Sequence, residues 1–231
     1  FIGRNDAFPV KGHSVKSELF SLPDCQRIIK KAIVDRLSSK YSVGWFEESG
    51  IKYQIGFFIF KDVASLMIDT TGTALHKRGY RPAAGVAPLR ETLAAAVVMT
   101  ARPREDVLFW DPFCGSGTIA VEAAMLMRGI APGAARGFAG EEFPIISSEL
   151  WSAAREEAAA SADAHAACGF EVWASDIDGE IIRLAQANAR RAGVRDSIKF
   201  YNVDARKLKK PERRGTIVTN PPYGERMLDI N

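Results

Sequence analysis

Apolar positions in the first third of the chain follow two different periods. Over residues 24–37 they recur at helical spacing with Lys and Arg between them, which predicts an amphipathic helix with a basic face. Residues 51–60 and 63–70 are continuous β-rich runs separated by two polar residues, and they predict a hairpin of two buried strands. Residues 11–17 are basic and polar. A helix followed by a hairpin indicates a small α+β module.

From residue 88 onward, helical and strand patterns alternate. A helix is predicted to begin at Pro88 and to end before Pro103, because its apolar residues fall on one face. Short apolar runs then predict strands at residues 107–110, 170–174, 198–203 and 216–218, and helices are predicted at 119–127, 147–168 and 181–193. Such alternation is typical of an α/β fold with a parallel sheet.

Residues 216–223, with the sequence TIVTNPPY, place two prolines directly after a buried strand. Proline has no N–H to give to a neighbouring strand, so the strand must end there. The rigid loop then presents the amide oxygen of Asn220, the carbonyl of Pro221 and the ring of Tyr223. The two oxygens could grip the N–H bonds of a nucleobase amine and favour its nucleophilic pyramidal form, while the ring stacks on the base. A plain strand-ending turn is the alternative for an isolated motif.

Residues 111–118, with the sequence DPFCGSGT, follow the strand at 107–110 and open the next helix. A glycine turn at a helix amino end brings backbone N–H groups towards a negative ligand group. The G-S-G spacing lacks the third glycine of a dinucleotide fingerprint, so it suits an amino acid head better than a pyrophosphate. S-adenosylmethionine has such a head, with an ammonium that Asp111 could attract directly or through water. A chance glycine turn is the alternative.

Two further acids end the neighbouring strands. Asp176 follows the strand at 170–174, where a carboxylate can accept two hydrogen bonds from a ribose diol. Asp204 follows the next strand, where it can accept from an adenine amino group, and Asp178 is expected to cap a helix. One such acid alone would indicate a cap or turn. Four strand ends in succession with suitable groups indicate a site for a nucleoside cofactor and a base amine.

Composition narrows the class of protein. The 231 residues are 47% hydrophobic and 26% charged, as in ordinary globular proteins, and neither a membrane-length apolar run nor a targeting segment is visible, so we expect a cytoplasmic location. The three cysteines lack C-x-x-C spacing and the three histidines stand apart, so no metal is expected. The net charge is +3, with the basic excess in residues 1–81, which favours a polyanion partner. The basic run at 206–214 indicates either a solvated face or a phosphate contact.

DPFCGSG before NPPY resembles the Rossmann-like S-adenosylmethionine-dependent methyltransferases that act on base amines. The chain more specifically resembles the bacterial THUMP-containing RNA methyltransferases, through the stretches VKGHSVKS, SLPDCQRIIKKAI, LHKRGYR and APLRETLAAA. This group is often labelled N6-adenine-specific DNA methylases and is related to the ribosomal RNA guanine-N2 methyltransferases. The resemblance implies a partial THUMP domain over residues 1–72, which binds RNA, a linker over 73–87, and a Rossmann-like methyltransferase domain over 88–231 with a partial sheet.

The same resemblance implies roles for individual residues. The target base would be held by Asn220, Pro221, Pro222 and Tyr223. The stretch from Pro88 through Arg90 to Glu91 would close over the cofactor. The cofactor would be surrounded by Asp111, Pro112, Phe113, Gly115, Ser116, Gly117, Thr118, Asp176, Ile177, Asp204, Ala205 and Asn220.

The chain also departs from the family pattern. The family has a further amino-terminal portion, and its sheet continues beyond NPPY. We therefore expect a fragment, since the chain begins at Phe1 and ends eight residues after Tyr223. As it stands, the fourth strand would be an exposed edge, the base pocket would lack a wall, and activity would be weak or absent.

The first hypothesis for function is methyl transfer to guanine N2 of ribosomal RNA. Adenine N6 of DNA or RNA is the second, because NPPY alone does not separate the two amines. A non-catalytic RNA-binding module is a third, from another class, and the glycine spacing argues against a dehydrogenase. The sequence leaves the modified nucleotide and the oligomeric state open.

Overall fold

The computed structural model describes residues 1–81, 89–209, 212 and 214–222, and the chain divides into two compact units. The first unit comprises Phe1–Ala74 and Gly137–Trp151. The second comprises Leu75–Arg136 and Ser152–Asn231. The chain thus returns to the first unit for one short segment before it completes the second.

The first unit contains a three-stranded sheet and one long helix. In chain order its main elements are β1 (Val10–Val15), α1 (Leu22–Tyr41), β2 (Gln54–Phe60) and β3 (Val63–Asp69). The strands lie in the order β1-β2-β3, with β1 parallel and β3 antiparallel to β2. The predicted helix and hairpin are confirmed, and the two turn residues, Lys61 and Asp62, have φ values of 48° and 63°, as a tight hairpin turn requires.

One strand of this unit was not predicted, and one prediction needs correction. The basic polar stretch at 11–17 contributes most of β1, in which Lys11 and His13 are exposed while their neighbours are half-buried. The prediction that both hairpin strands are buried is wrong for β3, where Leu66 is 66% exposed. Only β2 buries one face, because α1 packs on that side through Cys25 and Ile29 against Phe57 and its neighbours.

The core of the first unit includes a side chain from its short second segment. Phe143 is 4% exposed and its ring stacks on Tyr53 at a centroid distance of 4.5 Å. The backbone N–H of Gly140 also donates to the carbonyl of Thr70 at 2.9 Å. The short 3-10 helix Ala139–Glu142 contains Gly140 and directly precedes Phe143, so this segment completes the core of the first unit.

The second unit is a parallel α/β layer. Its helices are α2 (Glu91–Ala101), α3 (Thr118–Met127), the main part of α4 (Ser148–Ala164) and α5 (Gly179–Arg191). Its strands are β4 (Leu108–Asp111), β5 (Val172–Asp176), β6 (Ile198–Asn202) and β7 (Gly215–Ile217), in the order β6-β5-β4-β7 and all parallel. The predicted strand–helix alternation is confirmed, with α4 ending earlier than expected.

The core of this unit lies between α3 and the central strands. Nearly every residue of α3 is buried, and Phe109, Val172 and Ala174 of β4 and β5 pack in the same cluster. The outer strand β7 is short, and Ile217 is 60% exposed. No helix within the described ranges is long and apolar enough to cross a membrane.

Candidate functional site

The parallel strands of the second unit bring their carboxyl ends to one edge of the sheet. Asp111 ends β4, Asp176 ends β5, Asp204 follows β6 and Asn220 follows β7. Backbone bonds fix the register there, since Val218 N–H donates to the carbonyl of β4's Trp110 at 3.0 Å. In open α/β sheets this edge is where ligands bind.

Asp111 is the most buried of these polar side chains. It is 1% exposed, and its Oδ1 accepts from the hydroxyl of Thr219 at 2.7 Å and from the backbone N–H of Phe113 at 3.3 Å. Burial, with a smaller contribution from the charge of Asp176, raises the pKa of Asp111 to about 7, against the effect of the two hydrogen bonds. The group can therefore change its ionisation near neutral pH.

The glycine turn after β4 has the geometry of a ligand cradle. Gly115 has a φ of +51°, and a Cβ placed there would have no atom within 4 Å. Gly117, the residue before α3, has a φ of +80°, and a Cβ there would come within 3.0 Å of the Cβ of Ala185. Gly117 therefore allows the turn to pack on α5, while Gly115 leaves open space beside the backbone.

The turn is held from two sides. Cys114 N–H donates to the carbonyl of Ser175 at 2.9 Å, and the buried amide of Asn188 donates to the carbonyl of Ser116 at 3.0 Å. Burial and the charges of Asp111 and Asp176 raise the pKa of the Cys114 thiol well above its usual range. Cys114 is thus a packing residue and not a nucleophile.

Asp176 links the end of β5 to the glycine turn. Its Oδ2 accepts from Gly115 N–H at 3.0 Å, and its Oδ1 accepts from Asp178 N–H at 3.1 Å. A carboxylate has about four acceptor positions, so lone pairs remain for a diol. Asp178 caps α5 as expected, because its Oδ1 accepts from the N–H of Glu180 at 2.8 Å. The adjacent Ile177 is 69% exposed.

Asp204 has a cationic neighbour two residues along the chain. Its Oδ1 accepts from the backbone N–H and Nε of Arg206 at 2.9 and 3.0 Å, and its Oδ2 accepts from Nη2 at 2.6 Å. These bonds lower the pKa of Asp204 to about 2. Ala205, between them, is half-buried. The predicted adenine acceptor is therefore ionised and engaged by Arg206.

The remaining predicted residues differ in exposure. Asn220, Pro221 and Pro222 are exposed beyond the end of β7. Near the turn, Pro112 and Thr118 are buried, Ser116 is half-buried and Phe113 is 43% exposed, whereas Arg90 is exposed at the start of α2. Two predicted residues, Pro88 and Tyr223, lie outside the described residues.

Sequence analysis did not identify a buried polar network beside the turn. Arg81 forms an ion pair with Glu91 at 2.7 Å and donates to the hydroxyl of Thr118 at 3.2 Å. Further along α3, Glu122 forms an ion pair with Arg78 and accepts from the hydroxyl of Tyr80 at 2.7 Å. The signal in the sequence was a single acid, Glu122, in the otherwise apolar run of α3, since a buried charge needs a partner.

The arrangement suits a nucleoside with a charged amino acid head. An ionisable acid, an open glycine turn at a helix amino end and a second acid lie at the ends of adjacent strands. Within the described ranges no group of three or more His, Cys, Asp or Glu side chains could hold a metal ion.

Comparison with protein families gives two matches. A family model described as "RMKL-like, methyltransferase domain" matches residues 78–230. A THUMP domain model matches residues 1–69. Together the two models cover most of the chain.

Curated relatives are longer than this chain. "Putative RNA methyltransferase YpsC" of Bacillus subtilis (strain 168) is 46% identical over 229 residues, which are 98% of this chain and 59% of that protein. "Ribosomal RNA large subunit methyltransferase K/L" of Psychromonas ingrahamii is 39% identical over 204 residues, which are 86% of this chain and 27% of that protein. The chain thus spans less than two thirds of either relative.

Solved structures share the fold. A "predicted N6-adenine-specific DNA methylase" from Listeria monocytogenes has a TM-score of 0.90 at 44% identity and covers 98% of this chain and 59% of its own. The crystal structure of SMU.472 complexed with SAH has a TM-score of 0.89 at 39% identity, over 100% of this chain and 61% of that one.

Proposed function

The chain belongs to the RMKL-like methyltransferase family and carries a THUMP domain before its methyltransferase domain, and from this premise we propose that it methylates an exocyclic base amine of RNA with S-adenosylmethionine as the methyl donor. The first target that we propose is guanine N2 of ribosomal RNA. The observation that carries the proposal is the hydrogen bond between Thr219 and Asp111, because it joins the cofactor turn to the NPPY loop.

The residues at the turn fit the cofactor. The open space beside Gly115 allows a ligand to approach the backbone, and the positive φ of that residue favours a glycine there. Asp111 would attract the ammonium of the amino acid head, and Asp176 retains acceptor positions for the ribose diol. When bound, S-adenosylmethionine supplies a methyl group on a positively charged sulfur. The SAH complex of SMU.472 supports this assignment by similarity.

The NPPY loop would hold the base. In this proposal the side-chain oxygen of Asn220 and the carbonyl of Pro221 accept from the two N–H bonds of the amine, which localises the nitrogen lone pair. Both residues are exposed at the sheet edge and free of the core, so they can receive a base from outside. Because the nitrogen loses its proton after transfer, no general base has to act first. Catalysis is then mainly the positioning of the nitrogen in line with the methyl group.

The remaining proposed contacts complete the site. Asp204 and Ala205 would lie beside the adenine, with Ile177 near the ribose, and the stretch from Pro88 to Glu91 would cover the cofactor. The preference for RNA rests on the THUMP match and on the ribosomal RNA methyltransferases among the relatives. The Listeria neighbour's name keeps adenine N6 of DNA as the rival target.

The experiment that tests this function is a radiolabelled transfer assay. The purified full-length protein is supplied with methyl-labelled S-adenosylmethionine and with unmodified ribosomal RNA, transfer RNA or duplex DNA, and the labelled nucleosides are identified. N2-methylguanosine in ribosomal RNA is the expected product. N6-methyladenine in DNA would move the assignment to the rival target. Cofactor binding without transfer to any substrate would favour the non-catalytic RNA-binding module.

A further inference from the structure

Arg81 lies outside every predicted part of the site and yet contacts the cofactor turn. Its side chain is 15% exposed and that of Glu91 is 5% exposed, so the ion pair between them is largely removed from water. Nε donates to one oxygen of Glu91 at 2.8 Å and Nη2 lies 2.7 Å from the other. The Nε contact is a hydrogen bond and the Nη2 contact is a close ion pair, so the carboxylate holds two nitrogens of the guanidinium.

The third nitrogen of the guanidinium points to α3. Nη1 donates to the carbonyl of Leu89 at 3.1 Å and to the hydroxyl of Thr118 at 3.2 Å. Thr118 is 4% exposed and is the first residue of α3, directly after the glycine turn. The Thr118 hydroxyl also forms a hydrogen bond of 3.2 Å with the hydroxyl of Ser116, in which either group can donate.

Ser116 is therefore held from two directions. Its side chain meets Thr118, which Arg81 orients, and its carbonyl accepts from Asn188 on α5. The turn between Gly115 and Thr118 is fixed before a ligand arrives, and a site fixed in advance binds more tightly because less ordering is needed on binding.

We propose that the Arg81–Glu91 pair is a positioning device for the cofactor turn, acting through Thr118 and Ser116. Glu91 then supports cofactor binding through Arg81 and not by contact with the cofactor. This inference rests on the proposed function, since it concerns the affinity of the same site for S-adenosylmethionine and its product S-adenosylhomocysteine.

The neighbouring ion pair provides a matched control. Glu122 lies one turn further along α3, is 2% exposed, and has Arg78 and the hydroxyl of Tyr80 as its partners in the described part of the chain. Burial raises the pKa of Glu122, and burial together with the charge of Glu122 raises the pKa of Tyr80. Both groups therefore belong to a polar cluster that is closed to water. Both ion pairs contact α3 and are largely buried, but only the Arg81–Glu91 pair contacts Thr118 beside the turn.

The test replaces all charged partners of a cluster together, because a single substitution would leave a buried charge without a partner and could prevent folding. Arg81→Met with Glu91→Met replaces the pair by apolar groups of similar size, which buried pairs often tolerate. Arg78→Met with Glu122→Met and Tyr80→Phe makes the same exchange in the control cluster. Thermal unfolding measures stability, and calorimetry with S-adenosylhomocysteine measures affinity.

We expect the Arg81/Glu91 variant to fold with near wild-type stability and to bind S-adenosylhomocysteine about tenfold more weakly, whereas the control keeps its affinity within about twofold. Wild-type affinity in the Arg81/Glu91 variant would overturn the inference, as would an equal loss in the control. If both variants unfold, Arg81→Lys decides, because it keeps the charge but not the planar fork; unchanged affinity would count against the proposal. Failure of the wild-type protein to bind would instead overturn the proposed function itself, and this inference with it.

Discussion

Thr219 donates a hydrogen bond of 2.7 Å to the carboxylate of Asp111, and this bond joins the carboxyl ends of β7 and β4. Asp111 belongs to the proposed cofactor side and Thr219 directly precedes the proposed base-binding Asn220. Burial brings the pKa of Asp111 to about 7, and the bond from Thr219 favours its ionised form. One ionisable group thus connects the two halves of the proposed site.

The first prediction concerns the pH dependence of cofactor affinity. Affinity for S-adenosylhomocysteine should rise as the pH is raised through about 7, because Asp111 attracts an ammonium only when it is ionised. Thr219→Val removes a bond that favours the carboxylate, so the midpoint of the rise should move to higher pH, while Thr219→Ser should leave it in place. Calorimetric titrations across this range would measure the midpoint. Overlapping profiles for the valine variant and the wild-type protein would contradict the coupling.

The second prediction concerns stability. The pKa of Asp111 rises from 3.8 to about 7 on folding, so its contribution to the free energy of unfolding is fully present below about pH 4 and is lost as the pH rises through 7. Asp111→Asn cannot ionise and lacks this decline. The wild-type protein should therefore lose stability relative to the variant between these pH values, by a few kcal/mol at most. Urea unfolding at several pH values tests the sign.

The third prediction separates transfer from binding. Asn220→Ala should abolish methyl transfer and leave both stability and affinity for S-adenosylhomocysteine nearly unchanged, because Asn220 is exposed beyond the end of β7. Asn220→Asp keeps an acceptor oxygen and should retain part of the activity. Single-turnover assays would measure methyl transfer, and calorimetry would measure cofactor affinity in the same variants. Wild-type turnover in the alanine variant would remove Asn220 from the proposed grip on the amine.

The fourth prediction compares two neighbouring acids. Asp176→Ala should weaken S-adenosylhomocysteine binding about tenfold or more, because it removes the proposed ribose acceptor and the anchor for Gly115 N–H. Asp178→Ala removes only the cap of α5 and should cost about 1 kcal/mol of stability with little loss of affinity. Calorimetry and thermal unfolding of the two variants measure both effects. If the Asp176→Ala and Asp178→Ala variants bound S-adenosylhomocysteine with equal affinity, Asp176 would be excluded from the ribose site.

Much of the second unit could be predicted from sequence because its signals are local. The apolar strands, the glycine turn and Asp178 as a cap depend on residues that lie next to one another in the chain. The parallel connection of strands then places their carboxyl ends together. The resemblance to the family rested on the motifs DPFCGSG and NPPY, and the match of the family model to residues 78–230 confirms it.

The features that were missed depend on contacts between distant residues. β1 was not predicted because its alternating polar residues acquire a strand partner, β2, only in the fold. Tyr53 and Phe143 are far apart in the sequence, with residues 75–136 of the second unit between them. No local pattern therefore indicates that their rings are in contact. Arg81 gave no signal of its own, since its role depends on Glu91 and Thr118 being brought beside it.

The last prediction concerns competition at Asp204. Arg206 occupies both oxygens of this carboxylate, yet its own side chain is 84% exposed, so the contact is open to water and to salt. If Asp204 accepts from the adenine amine, Arg206→Gln should increase affinity for S-adenosylhomocysteine by a few-fold, because the backbone N–H of residue 206 still orients the carboxylate. The gain should shrink at high salt, where the wild-type contact is already weakened.

An analogue gives the control for this competition. S-inosylhomocysteine carries a carbonyl oxygen in place of the adenine amine, so that position cannot donate to Asp204, and the analogue should bind the wild-type protein and Arg206→Gln equally. A gain of the same size for both ligands would mean that Arg206 acts by its general charge and not by occupying the acceptor. No gain for either ligand would mean that Asp204 has acceptor positions to spare, since a carboxylate offers about four and Arg206 need not block them all. Comparing the two ligands therefore distinguishes direct occupation of the Asp204 carboxylate by Arg206 from a long-range electrostatic effect of the Arg206 charge.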